Sequence, residues 1–220
     1  MIGFYDYTVV LTFLSVMSSL FGMTRAMEGN FKLAILCLAV SGLLDTFDGK
    51  VARSKKNRTE DEKLYGIQLD SLADVICFGV FPAMICYLMG VRGLLGGVAI
   101  AFYGLCGVIR LAYFNVLETG RQADPEAGEK VYHGLPITSI AVILPLTFLL
   151  GFLVPGKIFP MILLGMLFLV GLLFIVDFKL RKPKNWMLAV LIVLVAAAVL
   201  VIILYSRHYI PQMNGFGGWA

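Results

Sequence analysis

From the N-terminus onward, apolar residues fill long stretches broken only by short polar connections. Each stretch has the length, about 20 residues, that a helix needs to cross hydrocarbon. Residues 8–27, 31–53, 64–88, 92–117, 134–154, 157–177 and 185–206 fit that description. The pattern predicts an all-α fold, a polytopic membrane helical bundle of about seven transmembrane helices, with six and eight as bounds. The whole chain, 1–220, reads as a single integral membrane domain. Composition agrees: 60% of residues are hydrophobic and 15% charged, and the mean hydropathy of +0.89 is too high for a hydrated globule. "MIGFYDY" has no Lys or Arg ahead of the first stretch, which is therefore expected to be a retained span rather than a cleaved leader. Cys37, Cys77, Cys86 and Cys106 fall inside apolar stretches without CxxC spacing and are expected to be small core residues. The tail "NGFGGWA" is expected to be mobile.

Charge orients the bundle. With the N-terminus in the cytoplasm, the loops at 53–63, 118–133 and 178–184 carry Arg53, Lys55, Lys56, Arg58, Lys63, Arg121, Lys130, Lys179, Arg181, Lys182 and Lys184. Arg25, Lys32, Arg92, Lys157 and Arg207 fall on the other side. Eleven against five follows the positive-inside rule. "DFKLRKPK" then reads as a solvated basic loop that attracts anionic headgroups. An integral membrane protein with its polar site facing the cytoplasm is expected, in the plasma membrane if the cell is prokaryotic.

Four aspartates interrupt the apolar pattern. Asp45 and Asp48 are three apart at the inner end of the second stretch, and Asp70 and Asp74 four apart at the inner start of the third. Helical spacing puts each pair on one face, and the short connection makes the two helices neighbours, so all four carboxylates are expected to converge. An Asp in mid-span costs about 2.5–3.5 kcal/mol, so four unpaired would cost on the order of 10 kcal/mol, somewhat less near the interface. Lys50 and Arg53 supply two positive charges at most. Two divalent cations would balance the cluster, and all-oxygen ligands suit Mg²⁺, Mn²⁺ or Ca²⁺ rather than zinc. The plain alternative is a set of interfacial carboxylates paired with loop lysines. Gly49, Ala52 and Gly66 lie beside the carboxylates and let a bulky polar ligand approach the backbone, although small residues in membranes also serve helix packing. Arg53 is placed to hold a phosphate with its planar fork. Together these features describe metal-assisted phosphoryl transfer. An ion-coupled transporter or divalent-cation channel is the reading from another class, but such sites tend to lie near the midplane, whereas these residues gather at one rim. Arg110, in the fourth stretch, has no acidic residue between 75 and 117, so its partner comes from another helix or from a carboxylate or phosphate ligand, unless it snorkels to the interface.

"DTFDGKVAR" followed by "GIQLDSLAD" resembles the signature of the CDP-alcohol phosphotransferases, D-x-x-D-G-x-x-A-R, a spacer, then G-x-x-x-D-x-x-x-D. Asp45, Asp48, Gly49, Ala52, Arg53, Gly66, Asp70 and Asp74 match every fixed position. The spacer "SKKNRTEDEKLY" is longer than usual for the family and highly charged. The resemblance implies that Asp45, Asp48 and Asp70 ligate two divalent ions gripping the diphosphate of a CDP-linked lipid. It further implies that Gly49, Ala52, Arg53 and Gly66 seat the CDP moiety and that Asp74 is the general base, with base, metal ligand or both left open for Asp74. "LDSLADVICFGVFPA", "IRLAYFNV" and "HGLPIT" are similar to segments of the CDP-diacylglycerol–serine phosphatidyltransferases, the integral-membrane phosphatidylserine synthases. Two departures are Tyr113, where a second Arg is usual, and the absence of a Pro-Asn pair from "YDYTVVLTFLS". The implied reaction moves a phosphatidyl group from CDP-diacylglycerol to the hydroxyl of L-serine, giving phosphatidylserine and CMP, with Arg110, Asn115 and His133 as candidates for holding serine. Glycerol-3-phosphate, inositol phosphate or choline as acceptor, or a diether lipid donor, are alternatives within the family. Membrane lipids are the expected surroundings, no nucleic-acid partner is expected, and a homodimer is left open.

Overall fold

The computed structural model describes residues 3–5, 7–52, 54–55, 57–123, 131–181 and 185–205, so Arg53 and the Gly-rich tail lie outside the described residues. The first two helices, α1 (Val10–Met27) and α2 (Phe31–Ala52), are joined by Glu28-Gly29-Asn30. Those three residues are a stop and a start. Gly29 takes φ +76°, a left-handed value that costs other residues a Cβ clash. Its N–H donates to the Ala26 carbonyl at 3.0 Å and that of Asn30 to Arg25 at 2.8 Å, which closes α1 in a Schellman turn. Asn30 Oδ1 then accepts from Leu33 N–H at 3.2 Å and caps α2.

Small and hydroxylic residues pair α1 with α2. Thr12, Ser15, Ser19, Gly22 and Ala26 recur at spacings of three and four and are all buried. Ser41 Oγ donates to the Ser15 carbonyl at 2.9 Å, Ser15 Oγ to the Ser41 carbonyl at 3.2 Å, and the Ser19 and Ser41 hydroxyls share a 2.8 Å bond. Ser18 Oγ adds a bond to the Cys37 carbonyl at 3.0 Å. Lipid tails offer two helices no hydrophobic incentive to associate, so close approach at small residues and interhelical hydrogen bonds do that work.

The third rod is not one regular helix. It runs as α3 (Glu60–Asp74), a π-helical segment (Val75–Val80) and α4 (Phe81–Leu88). Thr59 caps α3 in a reciprocal box with Glu62, accepting at 3.2 Å from Glu62 N–H while Glu62 Oε2 accepts at 2.9 Å from Thr59 N–H. Pro82 accounts for the irregularity downstream. In α register the Phe78 carbonyl would accept from residue 82, and proline has no N–H to give. The chain widens by a residue, with Phe81 N–H bonding back to the Ile76 carbonyl, and the Phe78 carbonyl accepts from the buried Tyr103 hydroxyl on the next helix.

The chain continues through α5 (Gly93–Ala123), α6 (Ile140–Leu150), α7 (Phe159–Ile175) and α8 (Asn185–Tyr205). Ile35, Leu38, Phe78, Phe81, Ile85, Ile140, Leu144, Leu163 and Leu167 make one buried core. Two strands of three residues, β1 (Val131–His133) and β2 (Lys179–Arg181), pair antiparallel. The loops expected at 118–133 and 178–184 are therefore joined by a ribbon, and α5 continues to Ala123. The second of these loops is not simply solvated, since its start is tied into that pairing. Each of the seven apolar stretches is a helical rod. Tyr7–Met27, Glu60–Leu88, Gly93–Gly120 and Trp186–Tyr205 are long and apolar enough to cross a membrane by themselves, while Ile137–Leu150 and Phe159–Ile175 are shorter. α2 has the length but carries Lys32, Asp45, Asp48 and Lys50. All four cysteines are buried and free.

Candidate active site

The C-terminal turns of α2 and of α3 bring the aspartates together. Carboxylate oxygens of Asp45, Asp70 and Asp74 all lie within 4.8 Å of one another. Asp45 and Asp74 are within hydrogen-bonding reach across the helix pair, as are Asp48 and Asp70. Asp74 is the most enclosed, 9% exposed, and Asp45, Asp48 and Asp70 are half-buried. Helical geometry produces this: Gly66, Asp70 and Asp74 rise along one face of α3 at intervals of four, and Asp45 and Asp48 share a face of α2.

The helix pair also brings a hydroxyl to the cluster. Thr12 Oγ1 of α1 donates to Asp48 Oδ2 at 3.4 Å. One turn further along the same face, Ser15 donates to Cys77 Sγ at 3.5 Å and anchors the start of the π-segment, directly after Asp74. The spacing of Thr12, Ser15 and Ser19 carried that signal in the sequence; what it faced was not readable until α1 and α2 were paired.

Positive charge among the described residues is largely spent elsewhere. Lys50 does not turn toward the carboxylates: it is exposed, with its ammonium over the Phe47 ring at 5.1 Å. Lys55 pairs with Glu62 at 2.9 Å and Lys63 with Glu60 at 2.7 Å. Three carboxylates packed this closely repel strongly away from bulk water, and an oxygen-only donor set of that size fits a hard divalent cation. Gly49 and Ala52 are half-buried on the last turns of α2. Gly66 is covered by Arg58, whose Nη2 would stand 2.7 Å from a Cβ there.

Asn115 reaches the site through a neighbour. Ser71, beside Asp70, donates to Asn115 Oδ1 at 2.5 Å, which ties α5 to α3 alongside the carboxylates. Arg110 lies further along α5 and packs on Gly134. A Cβ on Gly134 would stand 3.0 Å from Arg110 Nη1, 3.0 Å from the Val176 carbonyl oxygen and 3.3 Å from that of Phe174, and φ there is +70°. Both the space and the backbone angle demand glycine. Gly134 N–H bonds to the Phe178 carbonyl at 2.9 Å, and Leu135 N–H to Leu173 at 3.0 Å, so this segment is pinned to the end of α7. Arg110 is engaged within the protein. His133 has its backbone in β1, opposite Lys179, one residue from the glycine that Arg110 touches.

An N-terminal segment covers the connection between α2 and α3. Phe4 meets Tyr65 edge-on with ring centroids 5.4 Å apart, and the Tyr7 and Ser54 hydroxyls share a 3.3 Å bond.

The family model described as CDP-alcohol phosphatidyltransferase matches residues 7–169. CDP-diacylglycerol–serine O-phosphatidyltransferase of Mycobacterium tuberculosis is 33% identical over 133 residues, 60% of this chain and 45% of that protein. The Saccharomyces cerevisiae protein of the same name is 40% identical over 106 residues, 47% of this chain and 37% of that protein. Archaetidylserine synthase of Methanothermobacter thermautotrophicus is 36% identical over 147 residues, 65% of this chain and 58% of that protein. The chain thus spans about half the length of the curated relatives it matches.

Proposed function

The chain belongs to the CDP-alcohol phosphatidyltransferase family, and from that premise we propose that it transfers a phosphatidyl group from a CDP-linked lipid to the hydroxyl of L-serine, releasing CMP. The observation that carries the reading is the meeting of Asp45, Asp70 and Asp74 within 4.8 Å between α2 and α3. Asp45, Asp48, Asp70 and Asp74 would hold two divalent cations, Mg²⁺ or Mn²⁺. When bound, these ions supply charge stabilisation on the phosphoryl oxygens.

The remaining chemistry belongs to the chain. Asp74, enclosed and set deepest on the face of α3, takes the proton of the acceptor hydroxyl as its oxygen attacks the lipid-linked phosphorus and the bond to CMP breaks. Asn115, fixed by Ser71, and Arg110, held on Gly134, flank the acceptor side, with His133 close by in sequence. Arg53, Gly49 and Ala52 follow the first aspartates and seat the nucleotide. The donor's tails have a place as well. An apolar groove of about 420 Å³ starts at Val75, next to Asp74, and runs between α4 and α5 past Gly79, Ala83 and Gly104 to Tyr87. Its small residues leave room for an acyl chain beside the reacting phosphate.

Serine is favoured as acceptor because the names of the three relatives share it, while their lipids differ between phosphatidyl and archaetidyl. The family assignment weighs against the transporter alternative. We further propose that all seven rods cross the bilayer, α2 sheltering its charges against α1 and α3, and that the site faces the cytoplasm. Purified protein incubated with CDP-diacylglycerol, L-serine and Mn²⁺ is expected to release CMP, and Asp45→Asn is expected to abolish that release. CMP release with another alcohol and none with serine would overturn the acceptor assignment.

A further inference from the structure

Gly66 is a small residue beside the carboxylates, and the structure shows what its bareness admits. Arg58 lies in the long charged spacer, just ahead of the Thr59 cap, and its side chain runs back along α3. Nη2 donates to the Glu62 carbonyl at 3.0 Å. The same nitrogen would be 2.7 Å from a Cβ at Gly66, with Cζ at 3.7 Å, so any larger residue there would push the guanidinium away. Arg58 Nε is buried and has no hydrogen-bond partner among the described residues.

A buried guanidinium donor without an acceptor is costly, and a ligand that supplies the acceptor would remove that cost. The direction in which it sits is informative. Gly66, Asp70 and Asp74 share one face of α3, so the guanidinium lies one turn, about 6 Å along the axis, beyond the Asp70 carboxylate. That is the mouth of the carboxylate cluster. A positive, planar, partly unspent fork at the mouth of a site that concentrates divalent cations suits an anion bridging the two, and a diphosphate has both the charge and the span. Among the described basic residues of this stretch, Lys55 pairs with Glu62 and Lys63 with Glu60, whereas Arg58 Nε has no acceptor.

We propose that Arg58 binds the diphosphate of the nucleotide-linked donor, and that Gly66 is bare in order to seat the Arg58 guanidinium. The inference rests on the phosphatidyl-transfer reading and deepens it. Its specific content is that a residue of the spacer, outside the signature, sets donor affinity.

Four proteins test it: wild type, Arg58→Gln, Gly66→Ala and the double variant, with Arg58→Lys as a charge-retaining fifth. Each is checked for a single elution peak in detergent. The readouts are KM for CDP-diacylglycerol, KM for serine, and the affinity of CDP in the presence of Mn²⁺, measured by titration calorimetry without turnover. Arg58→Gln is expected to weaken CDP and raise the donor KM by about 10- to 100-fold, the range for a charged hydrogen bond, with the serine KM unchanged. Gly66→Ala is expected to give the same loss, and the double variant little more than either alone. Arg58→Lys is expected to fall between wild type and Arg58→Gln, and it carries the test if Arg58→Gln does not fold. Unchanged CDP affinity in Arg58→Gln, or fully additive losses in the double variant, would overturn the proposal. A wild-type protein that binds CDP through Arg58 yet releases no CMP from the lipid donor would instead overturn the reaction assignment while upholding Arg58.

Discussion

Replacing Tyr103 by Phe removes a single oxygen from the middle of the bundle. Tyr103 and Phe78 are both 0% exposed, so no water can take over the bond from the Tyr103 hydroxyl to the Phe78 carbonyl. Pro82 cannot take it over either, because the α-register donor is absent. The expected cost is that of a buried carbonyl stripped of its donor, about 1–3 kcal/mol. The ring itself stays, and with it the contact to Phe174 at 5.5 Å between centroids, so no cavity term is added. For a chain of this size each kcal/mol lowers Tm by about 2–4 °C, which gives a drop of about 2–12 °C in a detergent thermal-shift assay. CMP release should fall as well, because the π-segment begins at the residue after Asp74 and its register fixes how that carboxylate is presented. The companion variant is Tyr103→Phe with Pro82→Ala. It restores an N–H at position 82, so the helix can close in α register, and it should recover much of the lost Tm while leaving activity low. A Tyr103→Phe protein as stable as wild type, or a double variant less stable than the single, would refute the account of the π-segment as a consequence of Pro82.

Three further outcomes are expected. Asp74→Asn should keep metal-dependent affinity for the CDP-linked lipid while losing about 10²–10⁴-fold in turnover, the range for a general base; rescue of turnover by excess Mn²⁺ would instead make Asp74 chiefly a metal ligand. Arg110→Lys should raise the KM for serine more than that for the lipid donor, since a point charge does not reproduce bidentate binding of a carboxylate, and equal losses for both substrates would contradict this. Gly134→Ala should reproduce the Arg110 defect, because the added Cβ meets Arg110 Nη1 and the Val176 carbonyl oxygen at 3.0 Å each in a backbone region that disfavours alanine; wild-type kinetics would separate Gly134 from Arg110.

The helices and the carboxylate cluster were legible because both are periodic. Seven apolar stretches became seven rods, and spacings of three and four put Asp45 with Asp48 and Asp70 with Asp74 on the faces that meet. Features that depend on what faces a residue from another element were not legible. The π-segment answers to Pro82, which the sequence displays, but the donor that rescues the Phe78 carbonyl comes from α5 and could not be named in advance. The β1–β2 ribbon joins two three-residue segments far apart in the chain, each too short to carry a strand signal. The sequence predicts that Gly66 admits a ligand or packs a helix, and the group the structure places over it is Arg58 from the chain's own spacer. The sequence offers Lys50 as one of at most two compensating charges, and its place over Phe47 follows from its angular position on α2, two residues past Asp48 and off that face.

The three-residue link between α1 and α2 bears on how such a chain enters a bilayer. The serine contacts between these helices join residues 19 to 26 positions apart, so closing the hairpin takes little chain entropy and needs nothing synthesised later. α2 would enter lipid poorly on its own, burdened by Asp45 and Asp48. With α1 already alongside, its backbone is gripped by Ser15 and Ser18, its Ser41 hydroxyl meets that of Ser19, and one carboxylate has the Thr12 hydroxyl. If α2 crosses the bilayer, the hydroxyl face of α1 would act first as an escort during insertion, before α3 arrives with the second pair of aspartates and the site exists.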